Sequence, residues 1–584
     1  MQEISEQGLC SRWRLKPAPE PSAVGELAEK GVMSPLLASL LLLRGVSGPD
    51  VEPFLRPRLS ALHDPADLPN IESAADAILA AIENDRPIIV YGDYDVDGVC
   101  GAAVLWHMLK ALGGQVQTYV PHRVEEGYGV NEEALRQFAQ DSPGALVITV
   151  DCGVTATGPA ALAKELGLEL IITDHHTPDP DGLPDATVVH PGLPESAYPW
   201  ADLCGAGVAY KLAWEVARRR HGERLPEALR THLVDLLSLV ALATVADVVP
   251  LADENRVITH YGLGRVKQTD LDGLNALIEV SRLADATIDA YDVGFKLGPR
   301  LNASGRMGHA AEAVELLTSA RGERAVELAK VLDRANNERR KIQKEVLEAA
   351  CEQVEAQGQN EDDHRVIVVA DADWHPGVVG IVAGRLREQY DRPAVVLAID
   401  GDTATGSARS IDGVSIHEAL AQCQDHLQRW GGHAMADGVT LATEDIDPFR
   451  EALVVAINDR LAVEDLVTTI VVDAECNLSQ TDLPAVEQIQ RMKPFGRANP
   501  TPRLLVRSAT VRNPRRVGSH GTHLNLTLEQ DGARMRGIGF GLGDLIEHTP
   551  AGAVVDAVFK PSINEFRGRR SAEMILEDLR PSSS

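Results

Sequence analysis

Residues 87–98 read PIIVYGDYDVDG, an apolar run that stops at a glycine and gives way to Asp93, Asp95 and Asp97 on alternate positions. The run Ile88 to Tyr91 has the length and β-branched content of a strand buried on both faces. Reading outward, the same kind of segment recurs. Helix-like SAADAILAAIEN (73–84) precedes it, and GAAVLWHMLKALG (101–113), NEEALRQFAQ (131–140) and GPAALAKELG (158–167) alternate with QVQTYVP (115–121), ALVITVDCG (145–153), LELIITDHH (168–176) and ATVVHP (186–191). Strands alternating with helices through short connections specify a parallel sheet wound by crossovers.

In such a sheet ligands bind beyond the carboxyl ends of the strands, so acids placed after several strands converge on one point. Asp151 follows ALVITV, and Asp174, His175 and His176 follow LELIIT. A later acid, Asp247 in VALATVADVVP, is read the same way, although the surrounding region from about 206 to 288 is otherwise helical. Carboxylates and imidazoles gathered at one point would repel one another without cations, and Mn²⁺ or Mg²⁺ suits such oxygen-rich sites. A calcium loop is the competing reading, because Asp93, Asp95, Asp97 and Gly98 match the opening of an EF-hand. It fails where the twelfth position should be a bidentate Glu and is Val104, and where a helix should precede the loop and a strand does.

A chain of 584 residues is too long for one core and suggests roughly three or four domains. Its apolar content is that of a folded protein, it has no run of 18 apolar residues, and its start lacks a basic-then-apolar leader. These features predict a soluble cytoplasmic protein. Seven scattered cysteines without a C-x-x-C argue against a disulfide framework and against structural zinc. A formal charge of −30 argues against a protein that coats duplex DNA, while local Arg507–Arg516 and Arg567–Arg570 leave room for a nucleic-acid groove.

Five regions are expected. Residues 1–70 form a proline-punctuated lead-in with short helices and no chemistry, and 71–310 hold the parallel sheet with its acids. A polar, Ala-rich stretch at 311–360 reads as one or two long bridging helices. A second α/β unit occupies 361–463, and short β-like runs at 464–580 suggest a small barrel.

The ordered motifs YGDYDVDG (91–98), VDCG (150–153), DHH (174–176), TVADVVPL (244–251), GPRLNASGRM (298–307), GSARS (406–410), GGH (431–433) and PFGRANPTP (494–502) resemble the DHH phosphoesterase superfamily. Within it they resemble the RecJ single-strand-specific exonucleases. The resemblance implies an α/β fold class: a parallel-sheet DHH domain joined by long helices to a second α/β, DHH-associated, domain, plus a C-terminal OB-like β-barrel. It implies a metal-dependent 5′→3′ exonuclease that degrades single-stranded DNA to 5′-mononucleotides in recombination and repair.

Two divalent ions, Mn²⁺ or Mg²⁺, suit in-line phosphodiester hydrolysis. Asp151 is the residue suited to bridge them. By resemblance Asp95 belongs to one ion, Asp97, His175 and Asp247 to the other, and Asp93 at or just behind them, with His176 as catalytic donor. Ser407 and Arg409 inherit recognition of a 5′ phosphate, and Arg123, Arg300 and His433 further substrate contacts, with Asn302 and Arg306 beside them. Trp374 and His375 either touch a nucleotide or pack at a domain interface. In the barrel, Arg512, Arg515, Arg516, Arg567, Arg569 and Arg570 would hold the strand's backbone, since aromatics are sparse there.

Single-stranded DNA is the implied partner, with a single-strand-binding protein and a repair helicase as candidate protein partners, no membrane, and a monomeric state. The rival readings are a DHH-family enzyme acting on short RNA or cyclic dinucleotides and a nucleic-acid-binding scaffold with a structural metal.

Overall fold

The computed structural model describes residues 4–122, 126–127, 129–308 and 310–582. They form two compact units, one of residues 57–341 with 494–499 and another of 1–56, 342–493 and 500–584.

The first unit is built on a five-stranded, all-parallel sheet of β1 (Ile88–Gly92), β2 (Val116–Tyr119), β3 (Leu146–Val150), β4 (Glu169–Thr173) and β5 (Thr187–Val189), in the order β2-β1-β3-β4-β5. Every residue of β1 and β3 is buried, as the unbroken apolar runs require when both faces are covered. One face packs under helices α1 (Val96–Ala111), α2 (Gly205–His221) and α3 (Glu227–Ala246), the other against Leu135, Phe138, Ala160 and Ala163. Helix α3 is long and apolar enough to cross a membrane by composition, yet Leu236 to Thr244 are fully buried in this core. A core helix explains that composition.

Register carries the sheet's consequence for function. Gly92, Val150, Thr173 and Val189 lie in one row across four strands. One residue further on come Asp93, Asp151, Asp174 and His190, and the ladder extends to them: Asp93 N donates to Val150 O, Asp151 N to Thr173 O and Asp174 N to Val189 O. The strand order reverses between β1 and β3, so Asp93 and Asp151 flank the crevice where doubly wound sheets bind ligands.

Helix α4 (Gly298–Met307) and the 35-residue helix α5 (Gly322–Ala356) follow. Leu328 and Leu332 of α5 are buried with the first unit's core, Val346, Ala350 and Val354 with a core of the second.

The second unit contains a mixed sheet of β6 (Ile367–Asp371), β7 (Ala394–Asp400), β8 (Thr403–Arg409), β9 (Arg429–His433) and β10 (Ala436–Ala442), ordered β9-β10-β8-β7-β6, with helix α6 (Pro376–Tyr390) packed on β7 and β8. Its last part is a closed five-stranded barrel of β11 (Leu504–Val517), β12 (His523–Gln530), β13 (Ala533–Gly539), β14 (Val554–Phe566) and β15 (Arg569–Pro581), shut by β11 pairing with β14.

The lead-in departs from expectation. Ile4–Gln7 and Arg12–Leu15 are strands that pair with each other, and Arg12–Leu15 also pairs in parallel with Thr469–Val472, a partner more than 450 residues away that no local pattern announces. The fully buried Asp578 holds them. It accepts hydrogen bonds from Cys10 N, Ser11 N, Ser11 Oγ and Trp13 Nε1.

Candidate active site

Each acid of the first unit is positioned by backbone chemistry at the end of an element. Asp95 caps α1, its carboxylate accepting from Asp97 N at 2.8 Å and Gly98 N at 3.2 Å. Asp97, in the first turn of α1, accepts from Gly205 N at 2.6 Å and Ala206 N at 2.7 Å, the first amides of α2. A helix N-terminus with free N–H groups is a favourable seat for a carboxylate. Asp151 sits past β3 with φ of +65°, a left-handed conformation that costs free energy in a non-glycine residue and turns its carboxylate into the crevice. Asp247 departs from the strand-end expectation. It ends the 20-residue helix α3, because a fully buried apolar run looks alike in a strand and in a core helix.

These residues converge. Asp93, Asp95 and Asp151 bring one carboxylate oxygen each within 4.8 Å of one another; Asp97, His175 and Asp247 do the same, as do Asp151, His175 and His176. His175 Nε2 stands 3.1 Å from Asp151 Oδ1 and 3.7 Å from both Asp97 Oδ2 and Asp247 Oδ2. It is buried and makes no hydrogen bond.

The electrostatics are those of a site built for positive charge. Burial, then the charges of Asp97, Asp95 and Asp93, push the Asp151 carboxyl well above the usual carboxylate range. Burial and the Asp97 charge raise Asp95. The same causes, with Asp95, lift Asp247 to about 8. Burial lowers His175, leaving a neutral imidazole with a lone pair for a cation. Hard oxygen donors with one imidazole, and a buried ring nitrogen with no partner of its own, fit Mn²⁺ or Mg²⁺ and do not fit a site meant to stay empty.

His176 is set up differently. Its Nδ1 is 2.8 Å from Asp174 Oδ1, and Asp174 also accepts from Val154 N at 2.9 Å and from the amides of His175 and His176. Burial opposes charge on His176, but the Asp174 hydrogen bond and charge outweigh it and raise the imidazole to about 9, while Asp174 falls to about 2. The backbone carbonyl of His176 accepts from His190 Nε2 at 2.7 Å, and Gly192 N donates to His190 Nδ1, which fixes the His190 tautomer. Asp174, read from the sequence only as a member of the convergent cluster, is here the partner of His176, and His190 is a functional neighbour that sequence reasoning missed. His190's place in the row after Val189 would have found it.

Among the remaining expected residues, Arg300 donates through Nε to Asp333 Oδ1 at 2.9 Å and through Nη1 to Lys296 O at 2.7 Å. Asn302 Oδ1 accepts from Val96 N at 3.0 Å, steadying the acid-bearing loop. Arg123 lies outside the described residues.

In the second unit Arg409 Nη1 donates to Ser407 Oγ at 2.5 Å. Arg409 and His433 both pair with Ala436, one on each side, and Ser407 and Gly431 both pair with Gly438. Directly opposed residues point to one face of a sheet. The face therefore presents a row of Arg409, Ala436 and His433 beside a row of Ser407, Gly438 and Gly431, with no side chain on two of its six positions. Gly380 of α6 completes the notch. A β-carbon there would come within 3.2 Å of both Arg409 Nη2 and Ser407 Oγ.

Trp374 is core, 6% exposed among Val346, Val354, Val378 and Val396, and His375 caps α6 by accepting from Gly377 N. In the barrel, Arg512 pairs with the half-buried Glu529, Arg516 with the exposed Asp544 and Arg570 with Glu487, so part of the expected cationic groove is neutralised. Such pairs are worth about 0–1 kcal/mol and open readily for a phosphate.

Three domain families match the chain: the DHH family N-terminal domain at residues 87–244, the DHHA1 domain at 363–459 and the RecJ OB domain at 472–578. The single-stranded-DNA-specific exonuclease RecJ of Bacillus subtilis (strain 168) is 40% identical over 571 residues, which is 97% of this chain and 70% of that protein. Crystal structures of RecJ from Thermus thermophilus superpose with TM-scores of 0.82 for the complex with Mn²⁺ and 0.76 for that with Mg²⁺. They are 30% and 29% identical, and both cover 98% of this chain and 80% and 79% of theirs.

Proposed function

From the premise that this chain belongs to the family of RecJ single-stranded-DNA-specific exonucleases, we propose that it removes nucleotides from the 5′ end of single-stranded DNA, in recombination and repair. The activity is that of a metal-dependent single-stranded-DNA exonuclease; its polarity, mononucleotide product and residue roles are our reading. The observation that carries the reading is the buried Nε2 of His175, facing the carboxylates of Asp97, Asp151 and Asp247 with no hydrogen bond.

In this reading Asp93, Asp95 and Asp151 would hold one divalent cation and Asp97, His175 and Asp247 the other, with Asp151 placed to serve both. When bound, the cations supply Lewis acidity at the scissile phosphate and a hydroxide nucleophile at neutral pH. The protein's residues do the rest. Gly205 and Ala206 amides aim Asp97, and the left-handed turn at Asp151 aims its carboxylate between the two groups of donors. His176, held at Nδ1 by Asp174, keeps its proton at neutral pH and offers Nε2–H to a phosphate or leaving oxygen. Ser407 and Arg409, with bare Gly438 and Gly431 beside them, suit a terminal phosphate, since a guanidinium can grip two of its oxygens.

The presence of an OB domain and near-complete coverage by RecJ relatives give no support to a short-RNA or cyclic-dinucleotide enzyme. Oligonucleotides labelled at the 5′ or the 3′ end, incubated with Mn²⁺, test the proposal. Release of the 5′ label as a mononucleotide before any 3′ label is expected. First release from the 3′ end, or internal cuts, would contradict it.

A further inference from the structure

Tyr291 and Phe295 are 62% and 65% exposed, and their rings stack on each other with centroids 4.6 Å apart and planes 28° from parallel. Single exposed aromatics are ordinary. Two rings held face to face in water are a preformed flat surface. Their setting is also unusual, because Phe295 lies on a π-helical turn, Val293–Leu297, a conformation that is rare and recurs at functional sites. Asp289 caps the turn before it, accepting from Tyr291 N at 3.0 Å. Beside Phe295, a β-carbon added to Gly294 would meet nothing within 4 Å, so the surface there is open.

The location ties this surface to the metal-binding acids. The π-turn runs directly into α4. At Gly298, three residues past Phe295, a β-carbon would lie 3.6 Å from Ala246 Cβ and 3.9 Å from Val96 Cγ2. Ala246 precedes Asp247, and Val96 lies between Asp95 and Asp97. Gly305, further along α4, abuts Tyr94 O. The stacked rings therefore begin about one helical turn, about 5 Å along the axis, from the helix's contact with the acid-bearing loops. Lys296 beside them is 42% exposed and paired with Asp292 at 2.7 Å, an exchangeable cation for a backbone phosphate.

We propose that Tyr291 and Phe295 form a base-stacking platform for a nucleotide of the strand being degraded, close to the scissile bond. Every base has a π-face, so such a platform is indifferent to sequence, and it adds a stacked pair in the first unit to the separate exposed phenylalanines of the barrel, Phe540 and Phe566. This rests on the single-strand exonuclease reading above. A protein partner would also accept two exposed rings, but the open surface next to the metal-binding loops favours the substrate itself.

The test compares full-length wild type with Tyr291→Ala/Phe295→Ala and the conservative Phe295→Tyr on two oligonucleotides, one complete and one abasic at its second to fourth nucleotides. On the complete strand the double variant should raise KM by about fivefold to about 100-fold, with a smaller change in kcat, and Phe295→Tyr should keep the wild-type KM. The wild-type penalty for the abasic strand should vanish in the double variant. As a readout on unmodified protein, 2-aminopurine at one of those positions should be quenched on binding. An unchanged KM, an abasic penalty that survives in the variant, or no quenching at any position would overturn the platform alone. A variant that loses self-association or binding of another protein while KM stays fixed would overturn it in favour of a protein contact. Failure of the wild type to cut either strand would overturn the functional reading and the platform together.

Discussion

Gly205 lies so close to Asp151 that a β-carbon at its position would stand 2.6 Å from Asp151 Cβ and 2.8 Å from Asp151 Oδ1. The same glycine donates its amide to Asp97 Oδ2. One residue thus sets the spacing between Asp97, which we assign to one cation, and Asp151, which we assign to both, and only a residue without a side chain can do it.

Gly205→Ala should therefore abolish nuclease activity, by roughly 100-fold or more, without removing any acid. Steady-state assays with saturating Mn²⁺ check this. The fold should survive at a cost of about 1–3 kcal/mol for the overpacked β-carbon, read as a lowered Tm. Activity within a few-fold of wild type would show that the two carboxylates tolerate displacement.

The raised carboxyls make the metal-free protein sensitive to pH. Asp247 is lifted to about 8, and Asp95 and Asp151 move in the same direction. A carboxyl whose folded pKa exceeds its unfolded one contributes stability that is complete at low pH and is lost as pH rises through the folded value. In EDTA, Tm should therefore fall between about pH 5 and about pH 8, and Mn²⁺ should reverse the loss. Asp247→Asn should raise the EDTA Tm at pH 8 and shrink the Mn²⁺ increment. An unchanged metal-free Tm in that variant would count against the charge-repulsion account.

Asp174 acts on His176. Its hydrogen bond and charge hold that imidazole at about 9. Asp174→Asn removes the charge, so the ring loses its proton at lower pH, and the alkaline limb of the kcat profile should move toward neutrality. A purely structural role for Asp174 would lower kcat at every pH and leave the limb in place.

Much of this centre was legible because strand ends announce themselves. Asp93, Asp151 and the DHH triplet each follow a short apolar β-branched run, and a parallel sheet has one edge at which they can meet. Asp247 was legible as an acid but not as a helix end, since VALATVA satisfies a strand and a core helix equally. Trp374 could not be placed between nucleotide contact and core, because an aromatic next to a candidate site looks the same in both roles. Paired arginines were invisible for a different reason. Arg300 meets Asp333 and Arg570 meets Glu487 through tertiary contact, and composition counts charges without saying which are already answered.

The N-terminal strand pair was missed because its anchor to the rest of the fold, Thr469–Val472 beside Arg12–Leu15, is distant in sequence, and that distance yields a prediction. Removing the Asp578 carboxylate would leave Cys10 N, Ser11 N, Ser11 Oγ and Trp13 Nε1 without their acceptor in a buried setting. Asp578→Ala should destabilise the second unit by about 2–4 kcal/mol, visible in denaturant unfolding, and should expose residues 4–15 to proteolysis. Proteolysis unchanged from wild type would mean that strand pairing with Thr469–Val472 suffices.

The most direct test is anomalous diffraction at the manganese edge from crystals soaked in Mn²⁺. The account predicts two peaks, one among Asp93, Asp95 and Asp151 and one among Asp97, His175 and Asp247, with Asp151 within ligand distance of both. A single peak, or peaks that leave Asp151 or His175 unligated, would contradict it.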